Sequence, residues 1–465
     1  MTVEYVGVFA LLIGILCLYC QQSFIVYMFM CATLLGAAAA FVLTGLGGTN
    51  ISPAHLLLCF LSLRLLRTPE ILQNSVRGLE LGRPGFWFLL TVLYGTVTAY
   101  VLPRVFAGQT MIFAVRAQSS LSIPLGPAMS NLTQSIYFIG DLVCFFVIYG
   151  FAGSQGGYRV LGKAALACAT VNLVFAALDI ATYTTGTAEL FAPIRNASYS
   201  MLNDSEIAGF KRIVGSFTEA SSFGAMTLGY FGFTGKLWLL GVRPRLTGVL
   251  AALSLMALVF STSTTAYVGL SVLLSIGYLD TLMQALRRPV TSYMTVFLVG
   301  APFAAAVSVV AILLSDTYSA YIKGLLDTMV LKKMSTDSGV ERSSWNRQAI
   351  QNFFDTFGFG VGNGSVRASS ILAGIPASLG VIGTLFFGLF FATFGLAKPK
   401  RTQSDALDDA FRQAAKYACL GWFISGATSG AVIDLGLPFF AFAAFASARP
   451  AHWKVEQLPR FQNAA

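Results

Sequence analysis

Long apolar runs separated by short basic turns fill nearly the whole chain. The runs cover residues 3–20, 24–46, 52–67, 85–106, 133–152, 160–181, 222–241, 247–262, 265–285, 292–314, 371–396, 411–432 and 436–448. Their lengths scatter around the ~20 residues a bilayer needs, which predicts about 12 to 13 membrane helices. Three polar stretches break the rhythm, at residues 107–132, 182–221 and 315–370. The expected fold class is therefore all-α: one polytopic integral membrane domain carrying large polar loops.

The basic residues fix an orientation. Arg64, Arg67, Arg77 and Arg83 flank one turn, Arg159 and Lys163 another, and Arg243 and Arg245 a third. Arg287 and Arg288 follow, then Lys398, Lys400 and Arg401, then Arg449 and Lys454. With the runs above, all six groups fall on one side, which the positive-inside rule makes cytoplasmic. The three polar stretches then share the opposite side.

Composition agrees. Of 465 residues 56% are hydrophobic and 11% charged, well under the charge of a soluble domain. The net charge of +10 reflects the basic turns, so it does not point to nucleic acid. Val3 to Cys20 lacks a basic leader and a small-residue cleavage site, and reads as a retained span. All seven cysteines fall in apolar runs, Cys17 and Cys20 included, and read as packing residues. His55 and His452 have no partner at metal-ligand spacing, so no metal site is expected.

The longest polar stretch concentrates charge. It holds Lys323, Lys332, Lys333, Arg342, Arg347 and Arg367 against Asp316, Asp327, Asp337, Glu341 and Asp355. Ser343 to Phe357 reads as an amphipathic helix, with Trp345, Ile350, Phe353, Phe354 and Phe357 on or near one face. Asn346, Arg347, Gln351 and Asp355 lie away from that face. Ser343 or Ser344 is placed to cap the start and Gly358 to end it. Arg342 then stands beside the helix N-terminus, where unpaired N–H groups favour an anion. The glycine run Gly358 to Ser365 would let backbone approach a ligand closely. These parts suit phosphate binding; an interfacial helix whose arginines touch lipid headgroups is the alternative.

The stretch at 182–221 carries Glu189, Arg195, Asp204, Glu206, Lys211, Arg212 and Glu219. Two adjacent cations, a glycine turn and Glu219 at the start of the next apolar run make an anion-binding and acid–base candidate. The same residues also fit snorkelling cations and a helix N-terminal charge. Asp141, Asp179, Asp280, Asp434 and Arg104 lie in or near spans, where charges usually face a partner or a polar cavity. Asp141 is the most central, and either binds an acceptor or pairs with another helix. Asn131, Asn196, Asn203 and Asn363 stand in N-x-[ST] sequons on the non-cytoplasmic side.

Four segments carry a resemblance: RIVGSFTEASSFGA from Arg212, FSTSTTAYVGL from Phe260, ERSSWNRQAIQNFFDTFGFGVGNGS from Glu341, and ILAGIPASLGVIG from Ile371. Ten residues lie between Arg347 and Gly358, whereas from Arg212 the next glycine in comparable register is Gly224, one residue out of step. Together these segments resemble the O-antigen ligase and Wzy-type O-antigen or exopolysaccharide polymerase family of bacterial inner membranes. The resemblance implies a GT-C-type glycosyltransferase facing the periplasm, without metal or cofactor. Its donor would be an oligosaccharide on undecaprenyl pyrophosphate. A chain-length regulator and a flippase of the same pathway would be partners beside the lipid bilayer. Two departures bear on the choice within the family. Its T-x-SR turn reads Ser263-Thr264-Thr265 here, and the ligases' loop histidine has no counterpart between Asp316 and Ile371. The polymerase therefore stands ahead of the ligase.

On this reading Glu219, Arg347 and Arg342 are the catalytic candidates. Arg212, Lys211, Arg195, Arg342, Arg347 and Asp141 would bind pyrophosphate and glycan. Arginines can stabilise a leaving diphosphate by paired hydrogen bonds, and Glu219 is the first choice of base, with Glu341 and Asp337 as alternatives. A lipid-linked oligosaccharide transporter is the competing class; broken helices and internal repeats would favour it.

Overall fold

The computed structural model describes residues 2–46, 48–115, 121–198, 201–202, 206–207, 210–287, 290–315, 319, 337–396 and 406–448. Asn203, Asp204, Arg288, Asp316, Lys323, Asp327, Lys332, Lys333, Lys398, Lys400, Arg401, Arg449, His452 and Lys454 lie outside the described residues. Helices dominate. In chain order they are α1 (Tyr5–Tyr19), α2 (Gln22–Ala32), α3 (Pro53–Leu65), α4 (Pro69–Gly78), α5 (Pro84–Val105) and α6 (Met129–Ala152). Next come α7 (Gly157–Thr184), α8 (Ala220–Leu239), α9 (Pro244–Phe260), α10 (Thr264–Ala285) and α11 (Ser292–Leu314). The chain closes with α12 (Asp337–Asp355), α13 (Ile371–Leu396), α14 (Ala406–Ser429) and α15 (Gly436–Ser447).

Six helices, α5, α6, α7, α10, α11 and α13, are long and apolar enough to cross a membrane, and α1, α2, α3, α9 and α15 are shorter apolar helices. The chain is a multi-pass membrane protein. One expected span fails. The run at 24–46 stops being helical at Ala32, because the backbone beyond it bonds elsewhere. Ala37 N–H donates to Ser216 O, and Phe41–Leu43 (β2) lies antiparallel between Thr2–Val3 (β1) and Thr49–Ile51 (β3). Six polar or glycine residues in Thr44–Asn50 favour this turn over helix.

The core is an aromatic stack. Phe88 on α5 meets Phe440 on α15 at 4.4 Å and Phe390 on α13 at 4.9 Å between ring centroids. Phe138 and Phe145 of α6 close on its edges. The helix α15 is buried along nearly its whole length, and at 12 residues it covers roughly 18 Å, too short to span a bilayer. Its ends are satisfied inside the protein: Tyr158 hydroxyl donates to Phe445 O at 2.6 Å and Ala448 O at 2.9 Å, while Asp434 Oδ1 accepts the Gly436 N–H at 2.6 Å.

A second interruption explains the glycine run. The helix α13 breaks at Gly380, whose φ is 61° and ψ −166°. The carbonyls of Ala377 and Ser378 accept the N–H groups of Val361 and Gly362 at 2.8 and 3.1 Å, and Val381 N–H reaches Gly358 O at 2.9 Å. Backbone freed inside a membrane helix must find such partners. The run Gly358 to Ser365 therefore approaches protein, not ligand, which corrects the sequence expectation. A Cβ at Gly362 would stand 2.7 Å from Thr98 O, and one at Gly364 2.4 Å from Ser130 O. The sequon residues Asn131 and Asn363 are buried in the same junction, where Asn131 Nδ2 donates to Asn363 O at 2.8 Å.

The described parts of the three polar stretches meet at one end of the bundle. Asn352 Nδ2 donates to Thr110 Oγ1 and Met111 O, and Thr110 Oγ1 donates to Asp355 Oδ2. Arg367 N–H reaches Phe113 O at 2.7 Å. Ala197 N–H bonds Ala37 O, which ties the 182–221 stretch to the turn after α2.

Candidate functional site

The amphipathic helix differs from expectation at its start and in its facing. It begins at Asp337, so Ser343 and Ser344 lie inside it and donate back to Val340 O and Glu341 O. Arg342 is likewise inside the helix, not at its N-terminus. The C-terminal stop at Gly358 holds: its φ is 80°, and its N–H donates to Phe353 O at 2.8 Å. The buried face is Trp345, Ala349, Asn352 and Thr356, of which Asn352 bonds the 107–115 segment. Ile350, Phe354 and Phe357 are 52%, 65% and 81% exposed. Ile350 and Phe354 line an open apolar groove of about 510 Å³ with Leu372, Pro376, Val381 and Leu385 of α13. Arg347 lies on that exposed side, two turns from Phe354. No hydrogen bond or ion pair joins it to the described residues, so it stands apart from the other candidates.

Two basic clusters form from the 182–221 stretch. In the first, Asp179 near the end of α7 is buried and surrounded by donors. Arg195 Nη2 bonds its Oδ1 at 2.6 Å and Lys211 Nζ bonds the same oxygen at 3.0 Å. Its Oδ2 accepts the N–H groups of Val214 and Gly215 at 2.8 and 3.0 Å. The Arg195 Nε donates to Gly215 O at 3.1 Å, and its guanidinium stacks 4.4 Å over Phe191. Arg195 and Lys211 were expected to bind pyrophosphate. They instead neutralise a buried carboxylate, and their side chains are nearly sealed from solvent.

The second cluster opens one residue later. Arg212 Nη2 donates to Thr262 O at 3.3 Å, and its Nε is buried without a partner. Thr262 sits at the turn between α9 and α10 with φ of 46°, a strained conformation for a β-branched residue. That turn, in the FSTSTT segment, offers its carbonyl to Arg212. Across from it, Arg367 stacks 4.0 Å over the Trp345 ring, and its Nε is also buried and unpartnered. Ser369 N–H donates to Asn346 Oδ1 at 2.8 Å, which holds the Arg367 segment against α12.

Electrostatics joins these pieces into one site. Burial pulls the Arg212 guanidinium below its usual range; Glu219 and the Tyr267 phenol oppose this, and Arg342 adds to it. Burial likewise lowers Arg367, with Glu341 and Glu219 opposing and Arg342 adding. Glu219 and Arg342 thus act electrostatically on both half-buried arginines. Glu219 immediately precedes α8, and its Oε1 accepts the Ser221 hydroxyl. Two arginines with a buried unpaired donor each, within electrostatic reach of Arg342 and of a carboxylate, can hold a polyanion and leave a base near it. Sequence reasoning gave Arg212, Arg342 and Glu219 a role. It gave none to Arg367, Trp345, Thr262 or Tyr267, because none stands at a spacing that marks it.

Asp141 joins neither cluster. It is 1% exposed on α6, with its carboxyl against that of Asp434. Among the described residues no group of three or more His, Cys, Asp and Glu side chains is arranged to hold a metal ion. Compared with family models, curated proteins and solved structures, the chain matches none.

Proposed function

We propose that the protein is a polysaccharide polymerase of a bacterial inner membrane, with a GT-C-like multi-pass architecture. It moves a glycan from undecaprenyl pyrophosphate onto the sugar of another lipid-linked repeat, on the periplasmic face. The observation that carries this reading is the pair Arg212 and Arg367, each with a buried guanidinium Nε unpaired and each within electrostatic reach of Glu219 and Arg342. The acceptor hydroxyl attacks the anomeric carbon while the bond from that carbon to the diphosphate oxygen breaks. The hydroxyl proton goes to Glu219, and the electron pair of the broken bond goes to the diphosphate. The arginines stabilise that leaving charge, which in a low-dielectric site is the larger share of such catalysis. The placement of the cluster at the end opposite the basic turns Arg64–Arg83 and Arg243–Arg245 supports a periplasmic site.

The broken helix α13 speaks for the transporter reading, since transporters bind cargo at helix breaks. Its freed carbonyls, however, are occupied by Val361 and Gly362, which leaves little there for cargo. Purified protein in vesicles, given lipid-linked repeat units, tests the assignment. Polymer without added acceptor is the expected result. Product only with lipid A core would make it a ligase, and movement of the lipid with no new glycosidic bond would make it a transporter.

A further inference from the structure

The polar group at His55, Asp141 and Asp434 has no part in the transfer step above. It is built from three places in the fold: the start of α3, the middle of α6 and the turn leading into α15. The Asp141 and Asp434 carboxyls are neighbours, and Asp434 accepts the Gly436 N–H at the positive end of α15. His55 Nδ1 bonds Ser52 Oγ at 2.8 Å, and its ring lies 5.2 Å from that of Tyr137. The Tyr137 hydroxyl donates to Asn50 O at 2.7 Å. The other edge of the imidazole faces Gly140, where a Cβ would come within 3.9 Å of Nε2.

Two buried polar atoms in this neighbourhood have no partner, Asp141 Oδ2 and Asn50 Nδ2. Each such atom in a native fold calls for a ligand or water. His55 and Asp434 are only half-buried, so the group is open to a visitor. It is also tied to the arginine site. Ala368 N–H donates to Ala431 O at 3.1 Å, which places Arg367 one residue, and Asp434 three residues, from a shared hydrogen bond.

We propose that His55, Asp141 and Asp434 form a hydroxyl-binding subsite for the sugar of a glycosyl diphosphate whose anionic end the arginines hold. The inference rests on the reading of the arginine cluster given above. Its chemistry is complementary: a carboxyl pair repels a second phosphate but accepts hydrogen bonds from hydroxyls. The open Asp141 oxygen takes one hydroxyl, and the imidazole Nε2 serves a neighbouring one. Charged hydrogen bonds of this kind amount to about 10- to 100-fold in affinity.

Binding of farnesyl diphosphate, and of farnesyl diphosphate bearing glucose, galactose, N-acetylglucosamine or rhamnose, to the full-length protein in nanodiscs tests this. At least one sugar is expected to tighten binding about tenfold or more, and Asp141→Leu and His55→Gln to abolish that gain. Farnesyl diphosphate itself should bind both variants within about twofold of wild type, which doubles as the folding control. Should Asp141→Leu fail that control, His55→Gln decides alone. No gain from any of the sugars, or a gain that survives the substitutions, overturns the subsite and leaves the arginine reading standing. Failure of farnesyl diphosphate to bind the wild-type protein overturns the arginine reading, and the subsite with it.

Discussion

Lys211 and Arg212 are neighbours in sequence and opposites in structure. Lys211 turns to Asp179 and, with Arg195 and two backbone N–H groups, completes the coordination of a buried carboxylate. Arg212 turns to the strained carbonyl of Thr262 and keeps a buried donor unpaired. Both clusters are basic; the first is nearly sealed from water, and the second is half-buried. What separates them is whether a carboxylate sits in contact. The closed cluster has its anion within the fold, so its cations do structural work. The open cluster holds Glu219 near its arginines, yet no ion pair to Arg212 or Arg367 forms among the described residues. A basic pair in a polar loop is therefore ambiguous until the carboxylates of other helices are placed.

The largest effect should come from breaking the closed cluster. Asp179→Ala leaves Arg195 and Lys211 buried without their anion, at a cost of about 3 to 5 kcal/mol, and should remove most folded protein. Thermal unfolding of the purified variant reads this out; an unchanged midpoint would mean that the cluster is not what holds the 182–221 stretch.

In the open cluster, Glu219→Gln should lower turnover by about 10²- to 10⁴-fold with donor binding and thermal stability preserved. Parent turnover in this variant would move the base elsewhere. Arg367→Lys comes next. A lysine can keep the charge over Trp345 but not the paired donors, so kcat should fall about 10²- to 10³-fold. Full activity after that exchange would show that Arg367 contributes charge and packing alone.

The smallest effect is expected at Arg347. It lies on the exposed side of α12 near Phe354, so Arg347→Lys should keep polymer yield and length within about threefold of wild type, as a headgroup-facing cation would. A loss as deep as that of Arg367→Lys would bring Arg347 back to the site and place the exposed side of α12 against substrate.

The sequence by itself determined the membrane helices. Most expected runs coincide with helices to within a few residues, for example 371–396 with α13 and 265–285 with α10, because transfer of apolar side chains is a local property summed along a window. It also determined the stop at Gly358, where a left-handed residue is needed. It misjudged places where the partner lies far away in the chain. The 24–46 run lost its second half to Ser216 and to strand pairing, and the glycine run closed on a broken helix in place of a ligand. The face that α12 buries was settled by Thr110 and Met111, which bond its polar residues Asn352 and Asp355. The aromatic stripe pointed the other way because hydrophobic residues at a membrane surface have lipid to face, so periodicity alone does not say which side is inside. The division of cations between Asp179 and Glu219 belongs wholly to tertiary structure. Charge pairing falls off with distance through space, and sequence separation carries almost none of that distance.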